Sequence, residues 1–181
     1  MAYDRQLSNS EQQHGWKPNG QISIHRAAEL MSRDITFSSA LPEQRREELA
    51  ELMFFNTQQH RVRNDIVHAI ERYGMPEIVT TDGSLRFSVG ELGLVQSLFA
   101  LEGTPQTGRL LGVMLYARVT TERLVLLHIG VDPSHASGGE AAERLLAMQL
   151  IGQLRTAAKL IVGIDEIEIL YGRGSKRIKI R

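Results

Sequence analysis

The chain has no cysteine among its 181 residues. Disulfides and thiolate metal sites are therefore excluded, and a reducing compartment, the cytoplasm, is the simplest expectation. It also lacks an excess of charge, since 21 Lys and Arg balance 21 Asp and Glu. No overall field draws it towards nucleic acid or an anionic membrane, and neither is expected as a partner. Nowhere does it reach the roughly 18 consecutive apolar residues of a membrane-spanning helix. The polar opening stretch, residues 1–21, has no apolar core of a secretory signal and is expected to be a flexible tail. Trp16 is the one tryptophan of the chain, able to dock on the body or on a partner. His60, His68, His128 and His135 fall into no H-x-x-x-H or H-E-x-x-H spacing, so no metal is expected. No G-x-S-x-G or Walker-type loop occurs.

What is present is 42% hydrophobic residues, enough for one core, and residues 22–181 read as a single domain. Pro42 suits the first position of a helix, with Glu43 and Glu47 near its positive end and Leu49, Leu52 and Met53 at helical spacing. A second helix over 61–73 places Val62, Ile66, Ala69, Ile70 and Tyr73 on one face, and Gly74 and Pro76 stop it. Strands follow at 77–81 and 84–89 around an Asp82-Gly83 turn, and at 94–102 before a loop over 103–108. An antiparallel pair, 110–119 and 124–131, is joined by the polar link Thr120 to Arg123. Asp132 to Ala141 then breaks the strand and opens a long helix to about Leu160. A strand over 164–171 is expected to turn through Gly172 to Ser175 into a terminal β-hairpin. In that register Ile169 faces Ile178, Glu168 faces Lys179, Ile167 faces Ile180 and Glu166 faces Arg181.

The order strand, strand, glycine turn, long helix, strand over Leu110 to Tyr171 resembles the core of the GNAT family of N-acetyltransferases. In that family V-x-P closes the fourth strand, and a R/Q-x-x-G-x-G/A loop wraps the pyrophosphate of acyl-coenzyme A. Val131-Asp132-Pro133 stands here for the first, and Ala136-Ser137-Gly138-Gly139-Glu140-Ala141 for the second. Ala136 occupies the place of the leading Arg or Gln, and Glu140 brings an anion to the loop. Such a loop works because backbone N–H groups converge on phosphate oxygens at a helix N-terminus, with side chains small enough for approach. The other reading of these residues is an ordinary strand-to-helix connection, with small and polar residues as turn and cap.

The resemblance covers roughly residues 40–171. It implies an α/β (α+β) fold, a mixed, mostly antiparallel sheet flanked by helices. It also implies acetyl-coenzyme A or another acyl-coenzyme A as co-substrate, held at Ala136, Ser137, Gly138, Gly139 and Ala141, with pantetheine along the backbone from Ile129 to Val131. The acyl group would pass to an amine on a small molecule or a protein. His128, inside the fourth strand, is the candidate base, because imidazole titrates near neutral pH. Its alternative is a half-buried strand histidine. Glu122 matches the rough position of a family carboxylate and is otherwise an exposed turn charge. Tyr171, the tyrosine after the fifth strand, is the candidate acid. The family places that tyrosine further on, so the alternative is a strand surface residue. The short C-terminus leaves a sheet edge able to pair with a second subunit. Loss of catalysis, with retention of protein-protein interaction or ligand sensing, is the second functional reading.

Tyr73 to Phe87 also resembles the second-aspartate segment of retroviral-type integrases, G-x-P-x-x-x-x-x-D-x-G-x-x-F, with the glycine after the aspartate one residue early. Two-metal chemistry needs about three converging carboxylates. A helix from Pro42 to Leu52, where that fold runs strands, argues instead for a plain hairpin turn at Asp82.

Overall fold

The apolar runs at 94–102, 110–119 and 124–131 carry hydrophobic residues on both faces, so they require cover on both sides of a sheet. The structure, a computed structural model, describes residues 35–133, 140–170 and 176–180. The expected tail over 1–21, with Trp16, lies outside the described residues. The strands are β1 (Ile35–Ser38), β2 (Leu41–Pro42), β3 (Pro76–Thr81), β4 (Ser84–Val89), β5 (Gly93–Glu102), β6 (Arg109–Arg118), β7 (Arg123–Val131), β8 (Glu166–Ile169) and β9 (Lys176–Lys179). The helices are α1 (Arg46–Phe54), α2 (Arg63–Tyr73) and α3 (Glu140–Leu160). Among the described residues the strands form one sheet in the order β2-β4-β5-β6-β7-β8-β9, with β1 on β5 and β3 on β4. Only β7 and β8 run parallel, joined across the sheet through α3. The mixed α+β class, with a mostly antiparallel sheet, is the one expected from the sequence.

Helices lie on both faces and divide the core in two. Leu49, Leu52 and Met53 of α1 and Ala69 of α2 pack with Phe87, Phe99, Val113, Leu115 and Val125. On the opposite face Leu146, Leu150, Leu154 and Ala158 of α3, spaced by four, pack with Leu111, Met114, Leu124, Leu126 and Ile167. No helix among the described residues is long and apolar enough to cross a membrane.

Two expectations need correction. The helix expected from Pro42 begins one residue later: Leu41 and Pro42 form β2 against Leu85 and Ser84, and Pro42 caps a 3-10 turn over Glu43–Arg45 that runs directly into α1. Pro42 has φ −61° but ψ 148°, an extended residue, and Leu41 is fully buried there. Proline's fixed φ suits either conformation, so tertiary burial of Leu41 decides. The hairpin β8–β9 forms, but its register differs by two residues from the expected one. Ile167 faces Ile178, Glu166 faces Lys179 and Glu168 faces Arg177. A shift of two restores the alternation of faces, but the fourth observed pair sets Ile169 against Lys176, so cross-strand pairing rules favour the expected register and do not account for the observed one. The turn at Asp82-Gly83 is as expected, with φ of 51° and 70° at its two centres, the primed geometry that suits a two-residue hairpin.

Candidate functional site

The site begins with one extra residue in β7. Up to Leu126 the ladder with β6 is regular, Arg118 opposite Leu124 and Tyr116 opposite Leu126. The next pair is Leu115 with His128, which leaves Leu127 without an opposite residue. Such a bulge re-aims the side chains that follow it. Plain alternation would put His128 with Leu124 and Leu126 on the α3 face. Instead Leu127 and His128 both line a cavity on the α1–α2 face, and Ile129 returns to the α3 face. Parallel pairing of β7 with β8 stops at Leu126 and Ile169, so His128 lies just past the point where the ladder ends.

The cavity holds about 200 Å³. Ile66, Ala69, Ile70 and Tyr73, four of the five residues assigned to one face of the second helix, form its outer wall; Met53, Leu115 and Leu127 form its floor. Met75 stands at its edge, 61% exposed. Burial holds the His128 imidazole down at about 4, so it is neutral at pH 7. Burial likewise raises the Tyr73 phenol, an effect partly offset by Arg72 and Arg123 and reinforced by Glu168. The Tyr73 hydroxyl is buried and has no hydrogen-bond partner among the described residues.

Two arrangements fix this wall. Glu168 of β8, 3% exposed, is paired with Arg72 of α2 at 3.1 Å and with Arg123 of β7 at 3.4 Å. Arg123 also bonds Glu166, and the Arg72 guanidinium lies 5.0 Å from the centre of the Tyr73 ring. The cluster ties the end of α2 to the parallel strand pair. In addition, α2 ends against the β4–β5 link at Gly74 and Gly90, both at positive φ. A Cβ on Gly90 would lie 2.3 Å from the Tyr73 carbonyl oxygen. The Glu-x-Glu pattern of β8 was visible in the sequence, but it pointed to β9; nothing in it pointed to Arg72, 96 residues away.

Of the other expected catalytic residues, Glu122 is not brought to His128. Glu122 is exposed in the turn before β7, where its carbonyl accepts the Asp165 and Glu166 N–H groups at 2.9 and 3.2 Å. Six residues of strand, roughly 20 Å at the rise of extended chain, separate it from His128. Ala136, Ser137, Gly138, Gly139 and Tyr171 lie outside the described residues, and of Ala141 only the helical backbone is described. At the far end of β7 the Val131 carbonyl accepts a hydrogen bond from the Asn56 amide at 2.6 Å. Asp132 is paired with Arg109 at 2.6 Å, and its N–H donates to the Leu111 carbonyl at 2.8 Å. Asn56, Arg109 and Asp132 border a second hollow of about 250 Å³ that includes Glu48, Phe55 and Pro133. Asn56 was missed because its role depends on the way α1 ends over β7. Gly130 is part of that fit, since a Cβ there would lie 3.2 Å from the Leu52 carbonyl oxygen. Among the described residues no three His, Asp or Glu side chains gather as metal ligands, and Asp82 serves its hairpin turn. No family model, no curated protein and no solved structure matches the chain.

Proposed function

We propose that the protein transfers an acyl group from coenzyme A to an amine, with His128 as the proton acceptor. The observation that carries this reading is the bulge at Leu127, which turns a neutral imidazole into an apolar cavity where β7 outruns β8. The resemblance of the strand–loop–helix segment to the GNAT family supplies the donor, and the geometry around His128 supports a role for it. Acyl-coenzyme A, when bound, supplies an activated acyl carbon. The amine nitrogen forms the new C–N bond, the C–S bond breaks and the sulfur keeps the electron pair. The nitrogen sheds its proton to the His128 imidazole, directly or through one water. Burial keeps the imidazole unprotonated but also weakens it as a base, so it takes the proton only as the C–N bond forms and the nitrogen becomes strongly acidic. Backbone groups along Ile129 to Val131 and the small residues from Ala136 to Ala141 would receive the pantetheine and the pyrophosphate.

A second reading is favoured by one contact. The Val131 carbonyl, which would face the donor, is already hydrogen-bonded by Asn56. A domain that retains the cavity but binds no thioester, and senses a ligand or a partner, fits that contact. Calorimetric titration with acetyl- and longer acyl-coenzyme A, repeated on Gly139→Glu, separates the two. Saturable binding to the wild type that the substitution abolishes is the expected result. Absence of binding to every thioester would overturn the transferase reading and leave the sensing one.

A further inference from the structure

The cavity carries information about its ligand that does not depend on the donor. No Asp, Glu, Lys or Arg side chain is among the described residues that line it. Its walls are mainly Leu, Ile, Met and Ala, and its polar residues are Tyr73, His128 and Gln59. An ammonium ion entering such a space would lose its hydration without gaining a carboxylate, which is strongly unfavourable. Glu168, the buried carboxylate behind Tyr73, is engaged by Arg72 and Arg123 and is not among the cavity's lining residues. A neutral imidazole and a neutral phenol in the wall ask for no counter-charge, so an uncharged ligand enters without that cost. Size narrows the ligand further. A cavity of roughly 150 Å³ lined by apolar side chains binds benzene, so about 200 Å³ fits one ring with a short substituent.

We infer that this cavity is the acceptor pocket and takes a small primary amine with an apolar body, bound in its uncharged form. The inference rests on the acyl-transfer reading for the words acceptor and amine, while the small, apolar and uncharged character of the ligand rests on the cavity alone. Polyamines, amino sugars and lysine side chains are cationic at neutral pH and are poor ligands for it. An arylamine enters as it is in solution. An alkylamine or benzylamine must first lose its proton, so its apparent affinity falls with the fraction that is uncharged.

The test uses the full chain without coenzyme A and two probes of similar shape. One is 4-methylaniline, uncharged at neutral pH; the other is benzylamine, protonated there. Binding is measured calorimetrically from pH 7 to pH 9. The titratable groups around the cavity are His128 from β7 and Tyr73 from α2, with Arg72, Glu168 and Arg123 behind it. Burial holds His128 uncharged, and Tyr73 protonated, through this range. The expected result is 4-methylaniline binding that is flat with pH, and benzylamine binding that strengthens about tenfold per pH unit until its own proton is lost. Ala69→Phe, which places a ring in the cavity, should abolish both. If benzylamine binds as well as 4-methylaniline at pH 7, or neither binds up to its solubility limit, the assignment is overturned. Binding of 4-methylaniline with no binding of any acyl-coenzyme A would remove the transferase reading and keep the ligand class. The reverse pattern would keep the donor and remove this acceptor.

Discussion

Gly90→Ala is expected to lower folding stability by about 3 kcal/mol or more, and to abolish ligand binding in the cavity beside His128. Two effects add there. Gly90 has φ +42°, where an L-residue is strained by about 1–2 kcal/mol. Its Cβ would also meet the Tyr73 carbonyl oxygen at 2.3 Å and the Gly74 Cα at 3.1 Å. Both are backbone atoms, which cannot swing aside as the tip of a side chain can. Gly83→Ala separates the two contributions. Gly83 has φ +70° but nothing within 4 Å of an added Cβ, so that variant should show strain alone. Urea unfolding of the two variants beside the wild type makes the comparison. Equal midpoints for Gly90→Ala and Gly83→Ala would mean that the end of α2 is not held against the β4–β5 link.

Acidification from pH 7 to pH 4 is expected to remove about 3 kcal/mol of stability through His128 alone. The unfolded imidazole titrates at its ordinary 6.5, the folded one at about 4, because burial penalises the charged ring. Between those values the unfolded chain binds more protons than the folded one, so stability falls as pH falls. The contribution is complete above pH 6.5 and is lost on the way down through pH 4. His128→Leu carries no such term. The difference in unfolding free energy between wild type and variant should therefore shift against the wild type by about 3 kcal/mol over that window. A difference that stays constant would show an imidazole that is solvated or charged in the folded chain, and would also remove the basis for a neutral proton acceptor in the proposed reaction.

The elements of the fold were legible where local chemistry and tertiary environment agree. The central strands were readable because 110–119 and 124–131 are apolar on both faces, and α3 because Leu146, Leu150, Leu154 and Ala158 repeat by four. Asp82-Gly83 was readable because few other residue pairs tolerate two positive φ values in succession. Agreement was off by a few residues at Pro42, which ends a strand and caps the 3-10 turn rather than opening the helix itself, and it failed in the terminal hairpin, where the observed register sets Ile169 against Lys176 although pairing preferences favour Ile178.

The candidate site was less legible. His128 could be picked out by chemical type, but its direction depends on the bulge at Leu127. That bulge arises from how β6 and β7 align, and reverses the face that strand alternation assigns. The Glu168–Arg72 pair joins residues 96 positions apart, and the Asn56 contact to Val131 spans 75. Periodicity and turn preference act over a few residues, so the amino-acid order alone determined the helices, most strands and the tight turn. Which face His128 meets, which charges surround Tyr73 and what shape of ligand the cavity admits arise from close packing between distant segments. No local propensity encodes such packing.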